Sequence, residues 1–539
     1  PDEVRLMAAS QPFGISCKGG LNTNINQLEM LANPGLATEL SNFEVNADGG
    51  YRRINGYSAF GDTRPSSGDP ILGLQVYADG VIACAGTGIF FSVDGSTWLQ
   101  LNKASVASTG DDFTTFSGRS ADARSAQAQV SFALFEGNTD YGKVIITDGA
   151  NKPFLFSMTG TGGLNTRTFF AEEITVSGST APTICAIHNN HLVVAAAPSA
   201  KNTLFYSSTL DPSSFSGSGA GSILLPDQVV GIKSFRDDLI IFCRNSIHKL
   251  INITDANSIA IVPITQNVGC LSPHTIQEIG GDLVFLSPDG IRSVAGTARI
   301  GDVELGSVSR PIRSILASLA GSINSFTISS TVLRSKSQYR LFFSAASTAS
   351  SVAKGIIGTL TANGFEWSET IGIQATGFTA GFDSDFVEKI YHGDNKGYIY
   401  NHDVGNSFYD SGSAFNIVAK YKTPHYDFGD IGTRKTLYYV KISFSPEGAI
   451  APTLKLRYDY ESLDIPQPAS YAIVGIPIPA TFGVALFAAA TFGGSEEPMF
   501  RQAVEGSGHV TNFRITSDDQ NAPYGINGLY VDYVPSGRR

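Results

Sequence analysis

Apolar and polar positions along the middle of the chain follow a unit that recurs four times. Each unit holds a short apolar strand, a polar turn, a strongly apolar strand, a second turn and another apolar strand. The units are ILGLQVYADGVIACAGTGIFFSVDG (71–95), ICAIHNNHLVVAAAPSAKNTLFYSS (184–208), IKSFRDDLIIFCRNSIHKLINI (232–253) and IQEIGGDLVFLSPDGIRSV (276–294), with looser copies at 143–157, 337–347 and 388–401. Asp-Gly and Asn-Asn pairs at the turns accept the positive φ values that hairpins require. The pattern therefore predicts β-hairpins whose inner strands are covered on both faces.

The spacing of the units predicts a β-propeller. Three of them start at residues 184, 232 and 276, which are 48 and 44 residues apart, and four-stranded blades recur at roughly 40 to 50 residues. Residues 60–405 have room for about six or seven such units. A β-sandwich would show a similar density of strands without this recurrence, whereas closure into a ring removes most exposed sheet edges.

The two ends of the chain follow different patterns. TLKLRYDY (453–460) alternates apolar and polar residues, which is typical of a strand with one buried face. Residues 1–59 are too short and irregular to fold alone but carry apolar patches such as LEMLANPGLATEL (28–40). We expect an all-β fold with an N-terminal arm (1–59), a six- or seven-bladed β-propeller (60–405) and a C-terminal β-rich platform domain (406–539). The arm is expected to dock on this β-sandwich-like platform, which is then built from both chain ends.

The charge composition indicates a protein that works in an assembly. Charged residues make up 16% of the 539 residues and the net charge is −11. A surface with few charges often lies against a partner, so we expect an oligomer or assembly component. Binding to nucleic acid without regard to sequence needs a basic surface, which the acidic balance disfavours.

The cysteines and the most apolar segment indicate in which compartment the protein works. Cys17, Cys84, Cys185, Cys243 and Cys270 are scattered without a CxxC pair, which predicts buried thiols in a reducing compartment. No secretory signal opens the chain. The stretch at 473–494 is interrupted by proline and glycine, so strand pairs and a loop are favoured over a membrane span.

One hairpin comes close to a motif of glycan-cutting propellers. FFSVDGSTWLQL (90–101) matches the aspartate box Ser-x-Asp-x-Gly-x-Thr-Trp of sialidase-type propellers except that the spacer between Asp94 and Gly95 is missing. Sialidase-type propellers usually carry several boxes, and this chain carries one degenerate copy. We therefore expect Asp94 and Gly95 to form a turn and Trp98 to pack between blades.

The best candidate for a metal site is Cys185-x-x-His188-x-x-His191. A two-residue turn at Asn189-Asn190 would place the two histidines opposite each other on one face of a hairpin. Cys185 would point to the other face, because it lies an odd number of residues from His188. No metal is therefore expected here. P-loop, GxSxG and HExxH motifs are absent, whereas a carboxylate pair for glycoside hydrolysis stays open, since such residues converge only in the fold.

Segments near both ends and in the middle of the chain resemble one family of virion proteins. They are residues 19–57, RDDLIIFCRNSIHKL (236–250), residues 269–294, YDFGDIGTRKTLYYVKISFSPEG (426–448) and residues 511–539. In this order they resemble the tail nozzle, or tail hub, proteins of short-tailed bacteriophages. The similarity runs along nearly the whole chain, without the large insertions of longer members.

This resemblance implies a structural protein of the virion tail, without catalysis or cofactor. Such proteins form a hexameric ring below the portal and adaptor complex, contact tail fibres or spikes, and let double-stranded DNA pass without specific binding. The expected localisation is the virion tail, after assembly in the host cytoplasm, without a membrane span. The alternative functions are a sialidase-like propeller and a glycan-binding propeller.

YRRINGY (51–57) places two arginines between aromatic residues. Aromatic and arginine side chains are common anchors at protein interfaces. Tyr51, Arg52, Arg53 and Tyr57 are therefore candidates for an assembly interface, and a solvated turn is the alternative.

SSFSGSGAGS (213–222) lacks the packing pattern of the strands. A channel that closes and opens needs loops that move at low cost. Ser213, Phe215, Ser216 and Gly217 are therefore candidates for a channel loop, and the run around Phe482–Phe492 is a second one.

Overall fold

The structure of the chain is a computed structural model. It describes residues 10–47, 49–101, 128–136, 141–178, 181–255, 257–294, 307–345, 352–382, 386–474 and 499–538. Strands make up 53% of the structure and helices 7%, which confirms the predicted all-β class.

Short elements make up the N-terminal arm. They are β1 (Gln11–Ser16), helix α1 (Gln27–Met30), β2 (Glu39–Ser41), β3 (Phe43–Val45), β4 (Tyr51–Arg53) and β5 (Tyr57–Ala59). The side chain of Asn26 accepts a hydrogen bond from the backbone N–H of Glu29 and so caps α1.

Six separate sheets of three or four strands form the blades of a β-propeller. Blade 1 comprises β6 (Ile71–Tyr77), β7 (Gly80–Ala85), β8 (Gly88–Ser92) and β9 (Leu99–Gln100). Blade 2 comprises β10 (Ser131–Phe135), β11 (Lys143–Thr147), β12 (Phe154–Thr159) and β13 (Thr168–Glu173). Blade 3 comprises β14 (Ile184–His188), β15 (His191–Ala197), β16 (Ala200–Tyr206) and β17 (Gly221–Leu224). Blade 4 comprises β18 (Val229–Phe235), β19 (Asp238–Cys243), β20 (Ile247–Ile251) and β21 (Ala260–Thr265), and blade 5 comprises β22 (Gln277–Ile279), β23 (Asp282–Ser287) and β24 (Gly290–Ser293).

A four-stranded unit, here called the bridging unit, stands in the ring between blades 5 and 6. Helix α2 (Arg313–Ala320) precedes it, and it comprises β25 (Thr327–Leu333), β26 (Gln338–Ser344), β27 (Lys354–Thr361) and β28 (Gly364–Ile371). Blade 6 follows with β29 (Gly377–Phe382), β30 (Glu388–Gly393) and β31 (Ile399–His402). Its fourth strand is β5 from the arm, paired through Tyr57 with His402. The ring is thus closed by two segments that lie far apart in sequence, and residues 57–59, assigned to the arm by the sequence, belong to a blade.

The remaining strands follow blade 6. They are β32 (Phe408–Asp410), β33 (Ser413–Phe415), β34 (Ile417–Lys422), β35 (Thr433–Pro446), β36 (Thr453–Tyr458), β37 (Tyr471–Ala472), β38 (Met499–Ala503), β39 (Ser507–Gly508), β40 (Thr511–Asp519) and β41 (Tyr524–Arg538). Short 3-10 turns lie at 164–166, 273–275, 310–312, 323–325, 334–336 and 459–461.

Two large sheets build the platform from both ends of the chain. The seven-stranded sheet has the order β3-β4-β41-β35-β38, with β1 also paired to β41 and β39 to β35. The nine-stranded sheet has the order β25-β26-β27-β28-β2-β34-β40-β36-β37, so it continues directly into the bridging unit. Arm strands β1, β2 and β4 all pair with C-terminal strands. The propeller is therefore inserted between the two halves of the platform.

The apolar patterns explain these packings. All residues of β7 are buried, as predicted for a strand covered on both faces, whereas β36 buries alternate residues such as Leu454 and Leu456. Apolar clusters fill the spaces between neighbouring blades, with members Phe156, Phe205, Ile241, Phe285 and Tyr391. A further cluster joins both platform sheets to blade 5 and α2. The platform, blade 5 and α2 therefore share one apolar core.

Two local predictions are confirmed by the backbone. Asn189 and Asn190 both have positive φ, and His188 pairs with His191 across their two-residue turn. All five cysteines are buried, and none of them forms a disulfide. The apolar stretch at 475–498, which includes the Phe482–Phe492 loop candidate, lies outside the described residues.

Candidate functional site

The first strands of the blades surround the centre of the propeller. Two cavities of about 280 and 360 Å³ lie there, and residues from the first strand of every blade and of the bridging unit line one or both of them. Lys233 is the one side chain with a full charge among the described lining residues. Burial lowers its pKa, and nearby Glu278 opposes this effect. Burial also lowers the pKa of His274 to about 4, so its imidazole is neutral at pH 7.

The composition of these cavities limits the chemistry that they can perform. Hydrolysis of a glycosidic bond ordinarily uses two carboxyl groups that face each other across the bond. No aspartate or glutamate is found among the described residues that line the two cavities. The described lining of the propeller centre therefore lacks the carboxylate pair for glycoside hydrolysis, which was still an alternative from the sequence.

The hairpin that resembles an aspartate box connects the third and fourth strands of blade 1. Oδ1 of Asp94 accepts hydrogen bonds from the backbone N–H groups of Ser96, at 2.8 Å, and Thr97, at 3.3 Å. These bonds hold the pKa of Asp94 below its usual value. Gly95 has a φ of 74° and donates its N–H to Ser92 Oγ. The carboxylate of Asp94 thus serves the backbone of its own turn, while the carbonyls of Gly95 and Ser96 accept from the hydroxyl of Thr63.

Trp98 of the same hairpin packs at the edge of the ring closure. Its Nε1 donates to the carbonyl of Thr63, and its ring meets that of Phe60 edge to face at 6.2 Å. Phe60 also contacts Tyr391 of blade 6. Trp98 therefore lies where blade 1 meets blade 6, as expected for a residue that packs between blades.

We expect Asp94→Ala to lower the free energy of unfolding by about 0.5–1.5 kcal/mol, because two backbone N–H groups lose their acceptor. Asp94→Asn keeps the acceptor oxygen and should cost less. Urea denaturation of the purified variants measures both values. Sialidase turnover by the purified chain that both substitutions abolish without loss of stability would contradict the structural role.

Both imidazole rings of the His188–His191 hairpin contact polar groups of this chain. His188 Nδ1 lies 2.9 Å from Ser234 Oγ, and His191 Nδ1 lies 2.6 Å from the carbonyl oxygen of Ser207. The thiol of Cys185 instead contacts the carbonyl of Ser131, on the opposite face. No group of three potential metal ligands occurs within the described ranges.

Tyr51, Arg53 and Tyr57 do not form an interface with another chain, because each is buried inside this one. The hydroxyl of Tyr51 donates to the carbonyl of Gly35, and that of Tyr57 to the carbonyl of Tyr409. These three interface predictions are therefore wrong.

The two arginines of the predicted interface have partners within the chain. Arg53 lies 3.0 Å from the carboxylate of Asp519 in an ion pair. The guanidinium of Arg52 is 15% exposed and pairs with Glu44 and Glu447. The two arginines thus hold the arm to the C-terminal part of the chain.

A buried ionic network joins the arm to the propeller. Glu44 on β3 is 1% exposed, and its Oε2 accepts from Arg340, also 1% exposed, at 2.9 Å. Its Oε1 accepts from Lys336 at 2.9 Å and from Arg52 at 2.8 Å. Arg340 and Lys336 also pair with Asp403, directly after blade 6. The network therefore ties together β3, the bridging unit and blade 6, and it borders a polar cleft of about 640 Å³.

Two buried histidines extend this network. Arg340 Nη1 lies 3.0 Å from Nε2 of His402, whose Nδ1 lies 3.2 Å from Nδ1 of His392. A guanidinium can only donate, so Nε2 of His402 accepts and its Nδ1–H donates to His392. Burial lowers the pKa of both imidazoles, and the pKa of His392 falls to about 3. Both rings are therefore neutral at pH 7.

The network was not visible in the sequence. Glu44 and Arg340 lie 296 residues apart, and no motif spacing connects them. The one local signal is Glu44 itself, a glutamate between two apolar residues in the short strand FEV.

The predicted channel loop connects β16 to β17 on the outer side of blade 3. Phe215 is buried in the apolar cluster between blades 2 and 3, and the hydroxyl of Ser213 donates to Glu172. The expectation of a loosely packed loop is therefore wrong for its first half. Ser216 and Gly217 are exposed.

Comparisons with known proteins find solved structures of low similarity to this chain. No protein-family model matches the chain, and no curated protein is similar to it. The extracellular domain of a hybrid two-component system from B. thetaiotaomicron aligns with 71% of this chain, at 11% identity and a TM-score of 0.37, and the chain spans 42% of that domain. YCF48 bound to D1 peptide aligns with 67% of this chain and 97% of its own length, at 12% identity and a TM-score of 0.37. An exo-β-1,3-galactanase from Phanerochaete chrysosporium aligns with 89% and 99%, at 8% identity and a TM-score of 0.26.

These similarities are too distant to bear on what this chain does. Within the described part of the chain, none of the helices has the length and apolar character needed to cross a membrane.

Proposed function

We propose that this chain is a structural protein of a phage virion, forming the tail nozzle ring of a short-tailed phage. In this function the ring extends the channel of the portal and adaptor, retains packaged DNA and lets it pass during infection. The chain acts without catalysis or cofactor. Its place is the virion tail, with tail fibres or spikes as neighbours.

The observation that carries the proposal is where the nozzle-like segments lie in the fold. Residues 19–57, 426–448 and 511–539 are far apart in sequence, yet they contribute β2, β3, β4, β35, β40 and β41 to the two sheets of one platform. Three of the five segments that resemble the family therefore assemble into one structural unit, while residues 236–250 and 269–294 lie in blades 4 and 5. This supports a resemblance of the whole fold rather than of isolated strands.

The propeller cavities are too small for duplex DNA, and this supports a path for DNA between copies of the chain. Cavities of about 280 and 360 Å³ are in the range of small-molecule pockets and have no room for a duplex. A net charge of −11 on each copy disfavours binding to phosphates and suits a conduit in which DNA slides.

The alternative is a glycan-processing or glycan-binding propeller. One observation favours it, namely the turn at Asp94, which resembles an aspartate box. The hydrogen bonds described for the Asp94 carboxylate are made within its own hairpin, and the described lining of the central cavities lacks carboxylates. The nozzle is therefore the better supported function.

An antibody against the chain tests the proposal on intact virions. Gold labelling should mark the tail, and particles assembled without the chain should lose packaged DNA and infectivity. Added purified chain should restore both. Unlabelled tails, or particles that retain DNA and infect normally without the chain, would show that the function lies elsewhere.

A further inference from the structure

The outer face of the seven-stranded platform sheet carries aromatic and basic side chains in neighbouring strands. We call Tyr439, Lys441, Met499, Arg501 and Tyr530 the platform face. Lys441 on β35 stands opposite Tyr530 on β41 and Arg501 on β38. Met499 and Tyr530 are 53% and 48% exposed. Tyrosine, methionine and arginine are the residue types that protein interfaces favour.

Contacts within the platform face hold it in one arrangement. The guanidinium of Arg501 lies 3.8 Å from the centre of the Tyr439 ring, and Lys441 pairs with Asp532 at 2.8 Å. The ring of Tyr530 lies over Gly14, where an added Cβ would come within 3.2 Å of it. Such a surface loses little side-chain freedom when a partner binds. Two cations and one acid give it a positive balance on a chain that is acidic as a whole.

An acidic turn of the same chain has the complementary character. Residues 459–464, DYESLD, connect β36 to the segment before β37 and contain three acidic residues. Leu463 in this turn is fully exposed, and Asp464 beside it is exposed as well. The exposed side chain of Leu463 beside the carboxylate of Asp464 matches a surface of aromatic rings and cations.

The acidic turn is held rigidly despite an unfavourable backbone. Asp459, Tyr460 and Glu461 all have positive φ, which costs non-glycine residues about 1 kcal/mol or more each. Oδ1 of Asp459 accepts from the backbone N–H groups of His509 and Val510, and Glu461 pairs with Arg514. The turn therefore presents Leu463 in a fixed position.

We infer that the platform face of one copy of this chain binds the acidic turn of a second copy. The two surfaces belong to different sheets, so each copy offers one of each, and the contact is heterologous. Heterologous contacts generate closed rings when the rotation between copies closes. This inference deepens the proposed nozzle function and rests on its ring, for which it names the surfaces in contact.

Cysteine cross-linking tests the contact directly. Leu463→Cys and Ala503→Cys place single thiols on the acidic turn and on β38 opposite Tyr439, and the native cysteines are all buried. A mixture of the two variants should give a disulfide-linked dimer on oxidation, about tenfold above the background of random collision. The double variant should give a ladder of higher species.

Leu224→Cys mixed with Ala503→Cys is the matched control, because Leu224 is an exposed leucine on blade 3. Cross-linking of the Leu463→Cys mixture no stronger than this control would overturn the inference. As a second measurement, Arg501→Glu should reduce cross-linking about tenfold, and adding Asp464→Arg should restore it.

The outcome separates this inference from the nozzle function. Rings seen by electron microscopy without the Leu463 cross-link would leave the nozzle standing and refute the contact. A cross-linked ladder from a chain that does not label virion tails would support the contact and refute the nozzle.

Discussion

Glu44→Ala should lower the free energy of unfolding by about 3–5 kcal/mol, the cost of breaking a buried ion pair by removing one partner. Arg340 is 1% exposed and would lose the carboxylate at 2.9 Å, keeping only that of Asp403 at 3.1 Å. Lys336 would lose one of its two acidic partners. Denaturant unfolding of the purified chain, followed by fluorescence, measures the difference.

Glu39→Ala is a suitable control for this substitution. Glu39 lies on the neighbouring strand β2 and pairs with Lys420 at 4.0 Å, with both side chains nearly half exposed. Exposed pairs contribute less than about 1 kcal/mol. If Glu44→Ala destabilised the chain no more than Glu39→Ala, the buried network would not hold the arm to the propeller.

Acid should destabilise the fold well above the pH at which most carboxylates titrate. Burial lowers the pKa of His274 and His425 to about 4 and that of His392 to about 3, and burial beside His392 and Arg340 holds the pKa of His402 well below its usual value. In the unfolded chain these groups titrate near the ordinary value of about 6.5. Below pH 6.5 the unfolded chain therefore binds more protons than the folded chain, and stability falls as the pH falls.

Each of these histidines contributes up to about 1.4 kcal/mol per pH unit between its folded pKa and pH 6.5. Stability measured by denaturant unfolding at pH 7, 6 and 5 should therefore fall steeply. His392→Gln should reduce the slope of stability against pH by the contribution of one proton, about 1.4 kcal/mol per pH unit. Equal slopes for the wild-type chain and His392→Gln would contradict a neutral buried pair at His392 and His402.

The hairpins were predictable because they are encoded locally. Each of the four recurring units corresponds to three consecutive strands of one blade, such as β6 to β8 within 71–95. Alternation, apolar runs and turn residues act over a few positions, so a single sequence contains them. The position of Asn189 and Asn190 in a two-residue turn follows from the same local rule.

The closure of the ring was not predictable, because it depends on distant strands. Nothing in Tyr57–Ala59 marks it as the fourth strand of blade 6, and nothing in β28 shows that its sheet continues into β2. Pairing across more than 300 residues is decided by the geometry of the whole fold.

The predicted interface failed for the same physical reason. Charged residues are usually exposed, so Arg53 was assigned to the surface, yet Asp519 neutralises it inside the fold. Phe215 shows the reverse case, because one aromatic residue within a run of serine and glycine is enough to anchor the loop. Residue type thus drew attention to Arg53 and Phe215, whereas the burial of Arg53 depends on a partner from the other end of the chain.

The mass of the assembled protein tests the nozzle ring most directly. Native mass spectrometry and electron microscopy of the concentrated chain, alone and with a portal and adaptor complex, should show a closed ring of six copies of the 57.1 kDa chain, about 343 kDa. A chain that stays monomeric under both conditions, or that forms a closed assembly with a different number of copies, would contradict the six-fold nozzle.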